Sequence, residues 1–143
     1  MSHDDQHRFA MQVAQLSRAW RSELDRRLVG LGLSQARWLV LIHLARFAHM
    51  PTQRELAQSV GVEGPTLARL LDSLESQGLV IRVAVPEDRR AKKIALQPAA
   101  QPLIDKIETI SAQLRREVFA GIDEEDVRRC QQVHARVLAN LTR

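Results

Sequence analysis

Phe9, Val13, Leu16, Trp20, Leu24 and Leu28 recur at intervals of three or four, which sets them along one side of a helix of about five turns. Gly30 and Gly32 close that pattern. Ser34 suits an N-cap, and the helix it opens carries Leu39, Val40, Leu41, Ile42, Leu44 and Ala45 with almost no polar face, so it belongs inside. In Pro51-Thr52-Gln53-Arg54-Glu55-Leu56, Thr52 and Glu55 have the spacing of a capping box, with Pro51 and Leu56 as the accompanying staple. Leu56, Ala57 and Val60 face inward, and Gly61 stops this third helix after barely two turns. A fourth helix begins near Gly64-Pro65, with proline where a missing amide proton costs nothing. Its buried stripe is Leu67, Leu70, Leu71 and Leu74, and Pro65, Ala68, Arg69, Asp72 and Ser76 lie opposite. Gly78 supplies its left-handed cap. A short helix, a glycine turn and a second helix make a helix-turn-helix.

After Gly78 the rhythm changes. Leu79-Val80-Ile81-Arg82-Val83-Ala84-Val85, the turn Pro86-Glu87-Asp88 and the segment Lys92-Lys93-Ile94-Ala95-Leu96 predict a two-stranded hairpin. Pro98 opens a fifth helix with the stripe Leu103, Ile107, Ile110, Leu114 and Val118. Asp123 caps a sixth, with Ile122 and Val127 as staple and Val127, Cys130, Val133, Val137 and Leu141 along one side. The fold class expected is mainly α with a small β-hairpin wing. Residues 1–33 form an N-terminal dimerisation helix, 34–97 a winged helix-turn-helix, and 98–143 C-terminal dimerisation helices. One subunit has little with which to cover three terminal stripes, so the economical arrangement is a homodimer sharing them.

Charge narrows the partner. The 143 residues carry 21 Lys+Arg against 17 Asp+Glu, a net charge of +4, and 18 of the cations are arginine, whose planar fork suits phosphate and guanine. Residues 82–93 alone hold five cations and two anions, whereas residues 105–129 hold five cations and seven anions. The basic surplus therefore sits on the hairpin. With no tyrosine, three phenylalanines and two tryptophans, there is no stacking platform for single-stranded nucleic acid. Duplex DNA is the partner this charge favours. No apolar run approaches the length of a membrane span, and the polar, acidic start is unlike a secretory signal, so a cytoplasmic protein is expected.

No Walker loop, dinucleotide fingerprint, nucleophile elbow or apolar carboxylate pair is present, so no enzyme and no cofactor are expected. His43, His49 and His134 lack metal-ligand spacing, and His3 and His7 fall in a terminus expected to fray, so no metal is expected either. Cys130, mid-helix on an apolar stripe, reads as a core or interface thiol.

Gly61-Val62-Glu63-Gly64-Pro65-Thr66-Leu67-Ala68-Arg69, Leu74-Glu75-Ser76-Gln77-Gly78-Leu79-Val80 and Asp88-Arg89-Arg90-Ala91-Lys92-Lys93-Ile94-Ala95-Leu96 resemble the MarR-type regulators of bacteria. Leu16-Ser17-Arg18-Ala19-Trp20-Arg21, Leu33-Ser34-Gln35-Ala36-Arg37-Trp38 and Ala100-Gln101-Pro102-Leu103-Ile104 are similar to the SlyA branch of that family. The resemblance implies a transcriptional regulator whose dimer lays two recognition helices in successive major grooves of a pseudo-palindromic duplex. It implies that Arg90 enters the minor groove and that Asp88 holds the Arg90 guanidinium. It further implies release by a small aromatic carboxylate bound near Arg18, Trp20 and Trp38, although both tryptophans also suit plain packing. Arg69 is the candidate base reader, with Thr66, Gly64 and Pro65 beside phosphate or a thymine methyl and Arg54 and Gln53 on phosphate. Arg69 pairing with Asp72 or Ser73 on its own helix is the alternative. Likewise Arg89, Arg90, Lys92 and Lys93 form either a DNA contact or a solvated turn. Two positions depart from the family pattern. Glu63 replaces the common serine cap of the recognition helix, and Gln97-Pro98 replaces a threonine after the wing. The competing function is a winged-helix protein-interaction module.

Overall fold

The computed structural model describes residues 1–143. Six helices and one hairpin follow in the order α1 (His3–Leu28), α2 (Gln35–Arg46), α3 (Gln53–Val60), α4 (Gly64–Ser76), β1 (Val80–Val85), β2 (Asp88–Leu96), α5 (Gln101–Val118) and α6 (Glu124–Leu141). The chain divides into two units, residues 1–111 and 112–143. No single helix is long and apolar enough to cross a membrane.

α1 is longer than its apolar stripe predicts and runs through 26 residues. Ser2 accepts from the Asp5 amide at 3.0 Å, and Asp5 accepts from the Ser2 amide at 3.4 Å, so a capping box fixes the start and His3 and His7 are helical, not frayed. The aliphatic repeat gave no sign of this polar first turn. Phe9, Val13 and Leu16, on the predicted buried stripe, are exposed, while Leu24 and Leu28 are buried. A 3-10 turn over Val29–Leu31 and the left-handed Gly32 (φ 71) then end the helix.

The core of the first unit is built on α2 to β2. Trp38, Val40 and Leu41 of α2, Leu56 of α3, Leu67, Leu71 and Leu74 of α4, and Val80 and Ile94 of the hairpin are almost fully buried. Leu70 is only half-buried, one step off the stripe. The α3 capping box forms as predicted, with Glu55 N–H to Thr52 Oγ1 and Thr52 N–H to Glu55 Oε1 both at 3.1 Å. The Thr52 amide, which donates to the ionised carboxylate, holds Glu55 below the usual glutamate pKa. Gly61 adopts φ 83 and turns the chain between α3 and α4, a conformation that would strain any residue bearing a Cβ.

The hairpin is antiparallel, pairing Val80 with Leu96 and Arg82 with Ile94, and a bulge at Ala84/Val85 precedes the turn. Its second strand has a further neighbour that hydrophobic pattern did not predict. Ile94 N–H donates to the Pro51 carbonyl at 2.9 Å, and Thr52 bridges to Lys93, so the residues that start α3 also anchor the wing.

After the wing, Pro98–Ala100 form a 3-10 turn before α5 begins. The α5 stripe is rotated from the predicted one. Ile104, Ile107, Ser111 and Leu114 are buried, Leu103 and Ile110 are half-buried, and Val118 is exposed. Ile104 takes the place of Leu103 and Ser111 that of Ile110; both sets have helical spacing, and packing selects between them. In the second unit, Asp123 caps α6 through the Glu125 amide at 3.0 Å. No residue of α6 is buried. Ile122 is exposed where a staple was expected, and Cys130 is exposed, so it is not a core thiol of the single chain.

Candidate nucleic-acid interface

The start of α3, the turn into α4 and the wing strand β2 converge on one cleft of about 830 Å³. Arg54, Gly64, Pro65, Asp88, Arg90 and Lys92 all line it, joined by Thr52, Gln53, Gln58, Val62, Glu63, Ala68 and Ala91. Six of the nine residues expected to meet DNA thus border a single concavity. The Pro51-to-Ile94 and Thr52-to-Lys93 pairings explain the convergence, since they tie the wing to the very residues that cap α3.

The other three expected contacts lie outside its lining. Arg69 is exposed on the outer side of α4 and Thr66 is half-buried, while Arg89 is exposed on β2. Arg69 does not pair with Asp72. That carboxylate is taken by Arg82, whose Nη2 lies 2.9 Å from Asp72 Oδ1 and 2.8 Å from the Ala68 carbonyl, with Nη1 3.6 Å from Glu75 Oε2. Glu75 also accepts from the Arg82 amide at 3.3 Å. Arg82 therefore belongs to the fold. Its side chain, 21% exposed, clamps the first wing strand onto the recognition helix. By position it falls among the wing cations; the sequence signal for its structural role is Asp72 and Glu75, three apart on α4 and so on one face.

The Asp88 expectation needs a correction. Asp88 Oδ1 accepts from the Arg90 backbone amide at 3.0 Å and makes no bond to the guanidinium. A short acidic side chain two residues before an amide closes a turn of its own, which fixes the backbone at the hairpin tip. The Arg90 guanidinium has no protein partner, and neither do the side chains of Arg54, Arg69, Arg89 and Lys92. Their charge remains available to an outside anion.

Trp38 is 1% exposed within the core, with its ring nitrogen 3.5 Å from Asp25 Oδ1. Trp20 is half-buried and Arg18 exposed. Arg18 and Trp20 stand two residues apart on α1, about 200° around it, so one subunit does not gather the three around one small ligand.

A helix-turn-helix followed by an antiparallel wing, with uncommitted arginines on both, defines a winged-helix DNA-binding transcriptional regulator. A family model described as the MarR family matches residues 31–91. The solved structure of transcriptional regulator PA3341 is 69% identical to this chain, covers 94% of it and 98% of its own length, and superposes with a TM-score of 0.88. The chain belongs to the MarR family of transcriptional regulators. CouR from Rhodococcus jostii RHA1, solved with p-coumaroyl-CoA bound, is 25% identical over 90% of each chain with a TM-score of 0.79. The S. aureus MepR–DNA complex shares the fold at 22% identity, with 93% of this chain and 97% of that one covered and a TM-score of 0.81.

Proposed function

We propose that this regulator works as a SlyA-like homodimer, each subunit laying α4 in the major groove of one half-site of a pseudo-palindromic duplex and its wing in the adjoining minor groove. The observation that carries the reading is the set of partnerless cations around one cleft, Arg54, Arg90 and Lys92, with Arg69 beside it on the recognition helix. Cations that the fold does not use are free to replace the counterions of a phosphate backbone. Arg90 reaches a narrow, electronegative minor groove, Arg69 takes a base edge, and Arg54 and Lys92 hold phosphates. MepR, which shares the fold, is solved in complex with DNA, which supports duplex DNA as the partner.

The homodimer is supported by apolar surface left without cover. Phe9, Met11, Val13 and Leu16 of α1 and Val133, Val137, Leu138 and Leu141 of α6 are all exposed. An aromatic acid is the proposed effector class, and CouR's aromatic acyl thioester supports it. Arg18 supplies a cation and Trp20 a ring; because they face different ways, two subunits are needed to bring both to one ligand, while Trp38 backs the site from the core.

Selection from random duplexes followed by titration at several salt concentrations tests the reading. The selected site should show two half-sites about one helical turn apart. Affinity should fall roughly 10³- to 10⁵-fold between about 50 and 200 mM salt for about six to ten phosphate contacts. Arg90→Ala should weaken binding with the dimer intact. No enriched sequence, or a shallow salt slope, would refute it.

A further inference from the structure

The cleft is not uniformly basic. It holds two carboxylates, and they differ in what they do. Asp88 is committed to the Arg90 amide at 3.0 Å. Glu63 is committed to nothing: it occupies the N-cap of α4 with φ −71 and ψ 153, yet its side chain caps no amide of the first turn. At four of the five other α-helix starts, Ser2, Ser34, Thr52 and Asp123 accept from a backbone amide. Glu63 also forms no ion pair, although Arg54 and Arg90 border the same cleft, and it is exposed.

A carboxylate in that place opposes generic DNA binding. An ionised glutamate only accepts hydrogen bonds, and so do phosphate oxygens, so every backbone contact near Glu63 is repulsive. Along the floor of the major groove the donors are cytosine N4 and adenine N6, whereas guanine and thymine present only acceptors and a methyl group. The first residues of a recognition helix are the ones that reach base edges. Resting on the DNA-binding reading above, we infer that Glu63 is a specificity-determining residue: its carboxylate accepts from an exocyclic base amine at one position of each half-site and repels sites whose base on that strand presents only acceptors. Specificity then arises from a penalty on wrong sequences as well as from a contact to the right one.

The test repeats duplex selection with wild type, Glu63→Gln and Glu63→Ser, and titrates each against the wild-type site, single-base variants of it and an unrelated duplex. Serine is a strong N-cap, so Glu63→Ser should melt no lower than wild type, which separates a recognition effect from misfolding. Both variants should bind the unrelated duplex more tightly. Glu63→Ser should also lose discrimination by roughly 5- to 150-fold at a single position, the same in each half-site, where wild type selects cytosine or adenine, and Glu63→Gln, whose amide pairs with adenine, should do so where that base is cytosine. Unchanged base preferences at every position, with wild type still bound to its site, would overturn the role of Glu63 alone. Failure of wild type to bind any duplex would overturn the DNA-binding reading and this inference with it.

Discussion

α4 and α6 are both amphipathic, with apolar residues at helical spacing on one side and charges on the other, yet their stripes meet opposite fates. Leu67, Leu71 and Leu74 of α4 are wholly buried by the chain's own α2, α3 and hairpin layer, while α6 buries nothing. Periodicity reports that a helix has a face to hide; it carries no information about which molecule hides it. The same division runs through the arginines. Arg82 is consumed by Asp72, Glu75 and the Ala68 carbonyl, and Arg90, eight residues further on, has no partner for its guanidinium. Covered stripes and clamped charges make the fold, and bare ones are left for partners.

The most severe way to break this comparison is to make the bare stripe polar. Val137→Glu combined with Leu138→Glu should leave a folded monomer in sedimentation analysis and cut affinity for a two-half-site duplex by about 10²- to 10⁴-fold, the avidity that linking two modules supplies. Leu71→Ala, the same kind of change on the covered stripe, should instead cost about 2–5 kcal/mol of stability with the dimer retained. If the α6 variant loses stability and keeps its oligomeric state, the contrast is wrong.

A smaller effect separates the two arginines. Arg82→Ala should cost about 0.5–1.5 kcal/mol in denaturant unfolding, chiefly from the lost bond to the Ala68 carbonyl because Asp72 and Glu75 are exposed to water, with weaker DNA binding as the wing loosens. Arg90→Ala should change stability by under about 0.5 kcal/mol, as for an exposed site without partners. Arg82→Lys should recover only part of the loss, since a single ammonium cannot reach two carboxylates and a carbonyl in the fork's geometry.

Legibility in the sequence follows the same line. The α3 capping box, the Gly61 turn, the Gly78 cap and the hairpin were readable because each depends on residues close in sequence. The basic cluster of the wing was readable for the same reason. What escaped needed partners far along the chain or finer geometry: Pro51 and Thr52 reaching β2, Arg82 reaching α4, and Asp88 turning to an amide instead of a guanidinium. The α5 stripe was displaced by one residue because Leu103 and Ile104 are both apolar and only packing chooses between them. Glu63 stood out in sequence as a departure from the family pattern, but its freedom is a three-dimensional fact.

The mildest test concerns pH. His43 on α2 shares a 2.9 Å hydrogen bond with Ser59 Oγ on α3, so it joins two helices of the covered layer. Partial burial, and then the nearby Arg46 and Arg21 charges, hold its pKa below the usual 6.5. The unfolded chain therefore takes up this proton first as the solution is acidified. By linkage, stability is full above about pH 6.5 and is lost as pH falls through the lowered folded value, below which the loss levels off. His43→Gln removes the titration, so its melting temperature should drop less than that of wild type between about pH 7.5 and 5.5. An equal drop in both proteins would assign the acid sensitivity elsewhere, and a larger drop in the variant would mean that the charged imidazole stabilises the α2–α3 contact, reversing the sign argued from its burial.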